Sequence, residues 1–226
     1  MILGFDSAGK SVSAAVYDEK NNICLAKRFN IGTGTHSVTL LPMIDGVLSE
    51  SRLKMSDISL IAVTVGPGSF TGVRIGVSLA KGLAISSDIP VCAVSSMEAA
   101  ALGALSSASD GDVILSVSDA RRERFYNAAF TVKNGSLVRL YDDCVLHYTD
   151  ICNKVYGNVI IIGDGAELFI SLADNARFSK AENIFTDAEN VCKAAKKGEK
   201  ISSDNLLPVY LGLSQAEREL KEKSAK

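Results

Sequence analysis

The chain contains only two histidines, His36 and His147, and they stand far apart. Neither belongs to a His-Glu-x-x-His motif or has a second histidine at helical spacing, so no recognisable zinc-hydrolase site is written here. Its five cysteines, Cys24, Cys92, Cys144, Cys152 and Cys192, are odd in number, scattered, and include no Cys-x-x-Cys pair. That pattern argues against a disulfide framework and for reduced, largely buried thiols. No apolar run approaches the length of a membrane span, and the chain opens on a strand pattern without a basic leader. A cytoplasmic protein with no membrane contact is therefore expected. Charge of one sign is also lacking: 24 Lys and Arg against 26 Asp and Glu leave a net charge of −2. Without a dense basic stripe there is no nucleic-acid footprint, and Lys193, Lys196 and Lys197 read as a solvated helix end. A Gly-x-Ser-x-Gly elbow is missing too.

What is present is an apolar fraction of 47% in 226 residues, enough for one large or two small domains. The first half reads as strands over 1–6, 11–17 and 22–30, helix 36–53, strand 59–65, helix 70–86, strand 90–94 and helix 95–106. Leu40, Leu41, Ile44, Val47 and Leu48 form the inward stripe of the first helix. Val38, Pro42, Asp45 and Ser49 fall away from it. Residues 104–112 then turn small and polar, which sets a lobe boundary: 1–105 and 106–226. The second half restarts with strands 113–118, 123–131 and 136–146, helix 149–156, strand 158–162 and helix 165–173. The order three strands, helix, strand, helix occurs twice, although the halves share no sequence repeat. Gln215–Lys226 reads as a charged helix with Glu217–Lys221 and Glu219–Lys223 at favourable spacing.

One segment stands out, Gly66-Pro67-Gly68-Ser69-Phe70-Thr71-Gly72-Val73-Arg74-Ile75-Gly76. It follows a β-branched apolar run and reads as strand, tight turn, then a helix capped by Ser69 or Thr71. Gly72, Gly76, Ala80 and Ala84 recur every four residues, stacking small side chains into a shallow ridge. Two uses are open for that ridge: packing within the first lobe, or a close-approach surface for a partner helix. A second motif deceives. Gly4-Phe5-Asp6-Ser7-Ala8-Gly9-Lys10-Ser11 satisfies the written phosphate-loop pattern, yet no helix pattern follows Ser11. Residues 7–10 are expected to be a hairpin turn.

The Gly66–Gly76 segment resembles the signature of the bacterial TsaB family, also called YeaZ. Weaker matches keep the same order: Ile2-Leu3-Gly4-Phe5-Asp6-Ser7, His36-Ser37 with Leu41-Pro42-Met43-Ile44, Ala93-Val94-Ser95-Ser96-Met97-Glu98-Ala99, Asp119-Ala120-Arg121-Arg122, and Pro208-Val209-Tyr210-Leu211. Val38 stands where the family often has glutamate, and Gly212 where it usually has arginine, a lost bidentate donor.

The resemblance implies an α/β, two-lobed ASKHA fold, the architecture of actin, sugar kinases and Hsp70, each lobe βββαβα(β) with a mixed sheet. It implies a noncatalytic subunit for threonylcarbamoyladenosine formation in tRNA. Such a subunit pairs with the TsaD paralogue, helps recruit the TsaE ATPase, forms homodimers alone, and meets tRNA only through the complex. The implied partner surface lies on the first two helices, with His36, Leu40, Met43, Ile44, Val47, Phe70, Gly72, Val73, Arg74, Gly76, Val77 and Ala80 assigned to it. In the superfamily the first hairpin of each lobe faces nucleotide phosphates, and its first strand ends in an acid that helps hold a metal. Asp6, Ser7, Asp119, Gly163 and Gly165 are the vestigial nucleotide candidates by that analogy. No catalytic residue, resident metal or cofactor is assigned; nucleotide at the cleft or the partner interface stays open. The competing readings are an active ASKHA-type ATPase or phosphotransferase using Asp6 and Asp119, and a metallopeptidase. His36 is expected to make local hydrogen bonds at a helix start.

Overall fold

A computed structural model describes residues 1–32 and 36–212. The expected tail helix over 215–226 lies outside them. The first repeat comprises β1 (Ile2–Asp6), β2 (Ser11–Asp18), β3 (Ile23–Ile31), α1 (His36–Glu50), β4 (Leu60–Gly66), α2 (Phe70–Ser87), β5 (Val91–Ser95) and α3 (Ser96–Ala104). The second comprises β6 (Val113–Asp119), β7 (Arg124–Lys133), β8 (Ser136–His147), α4 (Tyr148–Lys154), β9 (Val159–Ile162), α5 (Ala166–Ala173), β10 (Phe178–Lys180) and α6 (Ala188–Ala195). Strand β10 was missed in the sequence, and of α6 only the lysine end was read. Strand β10 has three residues, too few to carry a period.

Each repeat builds a five-stranded sheet of the same plan, β3-β2-β1-β4-β5 and β8-β7-β6-β9-β10. In each, three strands meander antiparallel and the last two join parallel to the first. Helices α1 and α2 cover one face of the first sheet, burying Leu40, Ile44, Val47, Val73, Val77 and Ala80 against Leu3, Phe5, Val12, Ala14 and Val63. Helices α4 and α5 cover the equivalent face of the second, where Phe169 packs edge-on to both Phe125 and Phe178. Each such aromatic pair adds about 0.5–1.5 kcal/mol beyond its buried area.

The last helix of each repeat crosses over. Met97, Ala100, Ala101 and Ala104 of α3 pack on Ile114, Ala128, Phe130 and Ile162 of the second sheet. Ala188, Val191, Cys192 and Ala195 of α6 pack on Ile2, Ala15, Tyr17 and Ala62 of the first. The division at 105/106 thus fails to describe α6, which follows the second repeat but completes the first lobe's core. Asp187 caps α6 by accepting from the Glu189 amide at 2.9 Å, and its small inward residues let it approach the sheet closely. Gly4 is the point of closest approach: a Cβ there would collide with Cys192 Sγ and lie 2.9 Å from the Ala188 carbonyl oxygen. The first glycine of the false phosphate loop therefore makes room for a helix. The last glycine and lysine, Gly9 and Lys10, sit in a hairpin turn leading into β2, as expected.

After α6 the chain runs back along the first lobe. Ile201 bridges to Val91, the Lys81 ammonium donates to the Asp204 carbonyl, and the Val209 amide donates to the Val65 carbonyl at 2.7 Å. This strap ends beside the N-terminus of α2. Lys193 pairs with Glu189 and Lys196 donates to Asn22, so the three-lysine cluster is a helix end, in agreement with the sequence.

Candidate functional site

The ends of β1, β4 and β6 and the strap enclose a cleft of about 880 Å³ between the lobes. From the first lobe come Ala8, Gly9 and Lys10 of the β1–β2 turn and Pro67–Thr71 at the start of α2. The second lobe supplies Ser118–Arg122 and Asp164, and the strap supplies Val209–Gly212. Helix α2 is capped by Ser69, whose hydroxyl accepts from the Gly72 amide at 3.2 Å. Across the cleft, Arg121, Arg122 and Glu123 all adopt positive φ at the β6–β7 tip. The Asp119 carboxylate braces that tip by accepting from the Arg121 amide at 2.7 Å. Lys10 ties the lobes together: its amide donates to Asp164 Oδ2 and its ammonium to the Asp164 carbonyl, both at 3.2 Å.

Asp6 lies beneath this cleft rather than in it, only 1% exposed. Its Oδ1 accepts from the Thr64 hydroxyl at 2.5 Å and from the Ala8 amide at 3.1 Å. Its Oδ2 is buried without a partner among the described residues. Burial pushes the Asp6 carboxyl up from 3.8 to about 6, against the opposing pull of the Thr64 and Ala8 donors. Asp6 and Asp119 do hold equivalent places, each ending the first strand of its repeat. Only Asp119 opens into the cleft. Ser7 does not reach it either: its hydroxyl is spent on the Gly72 carbonyl at 2.8 Å, which pins the hairpin to α2. Gly163 and Gly165 frame a tight strand-to-helix turn that presents Asp164.

The residues assigned to a partner surface divide. Leu40, Met43, Ile44 and Val47 are buried under α1, and Gly72, Val73, Gly76, Val77 and Ala80 under α2. They form the core between helices and sheet and are not available to a partner. The glycine ridge serves internal packing, since a Cβ on Gly72 would collide with the Ser7 carbonyl and one on Gly76 would stand 2.8 Å from Ser7 Oγ. Phe70 and Arg74 are exposed and His36 partly so. Val38, Pro42, Asp45 and Ser49 face outward as the helical period requires, joined by Leu41. His36 reaches further than local bonding, pairing its Nε2 with the Gly9 carbonyl at 3.0 Å. His147 is committed to Glu123 and Thr149. Among the described residues no three His, Cys, Asp or Glu side chains gather at one point.

Several contributors escaped the sequence. Thr64, the one polar residue within the buried run Leu60–Val65, could have been flagged by that oddity. Lys10, Arg121 and Tyr210 stand in segments the sequence singled out, but distant turns bring them to one cleft, which no local pattern shows.

Two sheets of identical plan, exchanged terminal helices and a cleft at the strand ends define a two-lobed protein of the ASKHA class. A family model described as "TsaD: tRNA N6-adenosine threonylcarbamoyltransferase" matches residues 30–217. The chain is 32% identical over 225 residues to the tRNA threonylcarbamoyladenosine biosynthesis protein TsaB of Bacillus subtilis (strain 168), covering 96% of each. It is 28% identical over 220 residues to the protein of the same name from Escherichia coli (strain K12), covering 93% of this chain and 94% of that one. YeaZ from Pseudomonas aeruginosa superposes with a TM-score of 0.78 at 25% identity, over 93% of this chain and 99% of that one. The chain belongs to the TsaB (YeaZ) family.

Proposed function

We propose that this protein is a noncatalytic subunit of the machinery that forms threonylcarbamoyladenosine in tRNA. It pairs with the organism's TsaD paralogue and helps recruit the TsaE ATPase. Alone it forms a homodimer, and it meets tRNA only within the complex. It works in the cytoplasm and holds no cofactor of its own. The observation that carries this reading is the 32% identity with a TsaB protein across 96% of both chains. The geometry supports it in two ways. The acid equivalent to a metal-holding residue, Asp6, is sealed beneath the cleft and hydrogen-bonded to Thr64. The outer side of α1 keeps Val38 and Leu41 exposed, at 68% and 43%, and the start of α2 keeps Phe70 exposed, as a partner surface requires.

The test is size-exclusion chromatography with light scattering, this protein alone and mixed with that TsaD paralogue, followed by a reconstituted modification assay. A one-to-one heterodimer and a transfer activity that requires this chain support the reading. Transfer by this protein alone, or full TsaD activity without it, overturns it. A nucleotide in the cleft is a separate proposal, favoured by the cleft's size and by Lys10, Arg121 and Arg122 in its lining. Calorimetry with Mg-ATP checks it, and affinity no better than millimolar removes it.

A further inference from the structure

Arg74 stands on the outer side of α2, one turn after Phe70. Its guanidinium carbon lies 3.7 Å from the centroid of the Phe70 ring, and its Nε donates to the Tyr210 hydroxyl at 2.8 Å. The two rings are 4.9 Å apart and tilted by 34°. Residues 136 apart in sequence thus build one clamp, because the strap delivers Tyr210 to the start of α2. Every contact of Arg74 within the described residues is with these two neutral rings. Among the described residues no hydrogen bond uses its terminal nitrogens and no carboxylate pairs with its charge. Two other arginines are neutralised within the chain: Arg28 pairs with Glu50, and Arg139 with Glu98 and Asp143.

A guanidinium is a planar fork matched to a carboxylate, and stacking plus one hydrogen bond fixes its plane before anything binds. Ordering a long side chain is a cost of association, and here folding has already met it. The surroundings are apolar: Leu207 is 65% exposed, Val209 41%, Tyr210 44% and Phe70 39%. An arginine framed by aromatic and aliphatic side chains is the composition of an interface centre. A phosphate-backbone site would gather cations around Arg74; those that do gather, Lys10, Arg121 and Arg122, line the cleft, whose lining does not include Arg74.

We infer that Arg74, held between Phe70 and Tyr210, is a preformed receptor for a carboxylate side chain of the partner subunit. The surface it belongs to is composite, made from the outer side of α2 and the strap over Leu207–Tyr210. The inference rests on the partner reading above and adds the chemistry of the contact.

The test is titration calorimetry of the full chain with the TsaD paralogue of its own organism, at low and high salt. Arg74→Gln is expected to weaken binding at least about tenfold and to flatten the salt dependence. Arg74→Lys is expected to lose nearly as much, because an ammonium cannot reproduce the fork. Tyr210→Phe frees the guanidinium plane and gives a smaller, several-fold loss. Arg74→Glu is expected to be rescued by an acid-to-lysine variant found by scanning the paralogue's surface carboxylates. Both positions of substitution are exposed, so melting temperatures matching the wild type confirm folded variants. If Arg74→Gln and Arg74→Lys bind like wild type while Val38→Asp with Leu41→Asp abolishes binding, the carboxylate receptor is refuted and the partner reading survives. No binding by the wild type overturns both. Loss of affinity for a tRNA transcript, with paralogue binding intact, overturns the inference in favour of RNA.

Discussion

Thr64 donates its hydroxyl to Asp6 Oδ1 at 2.5 Å, joining neighbouring strands β1 and β4 at a point where each residue is 1% exposed. The second carboxylate oxygen has no partner there. Asp6 is thus a buried acid held by one side, with a carboxyl pushed up to about 6. Below pH 3.8 it is protonated in folded and unfolded chains alike. Between 3.8 and about 6 the folded protein keeps a proton that the unfolded chain has released, so stability falls as pH rises through that window. Above it the full cost is present, on the order of 3 kcal/mol. Asp6→Asn removes this titration. Urea unfolding from pH 4 to 7.5 should show the fall in the wild type and a flatter profile in the variant; the same slope in both refutes the account.

Thr64→Val leaves Asp6 Oδ1 with the Ala8 amide alone. The expected loss is about 1–3 kcal/mol at pH 7.5, where the carboxylate is ionised, and less at pH 4. In the Asp6→Asn background the same substitution should cost a different amount, since the two residues share one interaction. Additive effects would show that the hydrogen bond contributes nothing.

Gly72→Ala forces a methyl group into the Ser7 carbonyl, at the contact that seats the β1–β2 hairpin on α2. A loss of about 1–3 kcal/mol is expected. Gly82 on the same helix faces open space. Gly82→Ala should therefore stabilise the helix by about 0.5–1 kcal/mol. Equal effects at the two positions, read as shifts in the urea midpoint, would reject the packing argument.

Asp164→Ala removes the acceptor of the Lys10 amide without touching either core. Global stability should change by no more than about 1 kcal/mol, because the contact is exposed. Hydrogen exchange at the Lys10 amide should accelerate strongly, reporting freer motion between the lobes. Unchanged protection at Lys10 would mean that the hairpin is held by its other contacts, those of Ser7, Ala8 and His36.

Val38→Asp and Leu41→Asp place charge on the outer side of α1, where both side chains are exposed. Folding should be unaffected within about 0.5 kcal/mol. Heterodimer formation with the TsaD paralogue should be lost in light scattering. Retained heterodimers would move the partner surface elsewhere.

Strong periods made most elements legible. The strand over Ser11–Tyr17, the inward Leu40, Ile44, Val47 and Leu48 and the doubled order of strands and helices reappear in the structure, although the strand is buried on both faces and Leu41 turns outward. The hairpin at residues 7–10 was legible because no helical pattern follows Ser11. Only the lysine end of helix α6 was read, even though Ala188, Val191, Cys192 and Ala195 carry a helical stripe. Its high polarity elsewhere hid the period, and nothing local could show that it packs on β1. The burial of the glycine ridge was likewise invisible, because small residues every four positions suit an internal neighbour as well as an external one.

By itself the sequence determined the two-repeat plan, because patterns of period two and period 3.6 are local and survive any choice of neighbours, and it carried the family resemblance in the Gly66–Gly76 segment. Tertiary structure alone decided which lobe each terminal helix completes, that Ser7 and Asp6 are withdrawn from the cleft, and that Arg74 meets Tyr210. Those outcomes depend on contacts between residues 58 to 190 positions apart. Such contacts follow from which buried faces are left to be covered once the sheets have formed, and no stretch of chain records that on its own.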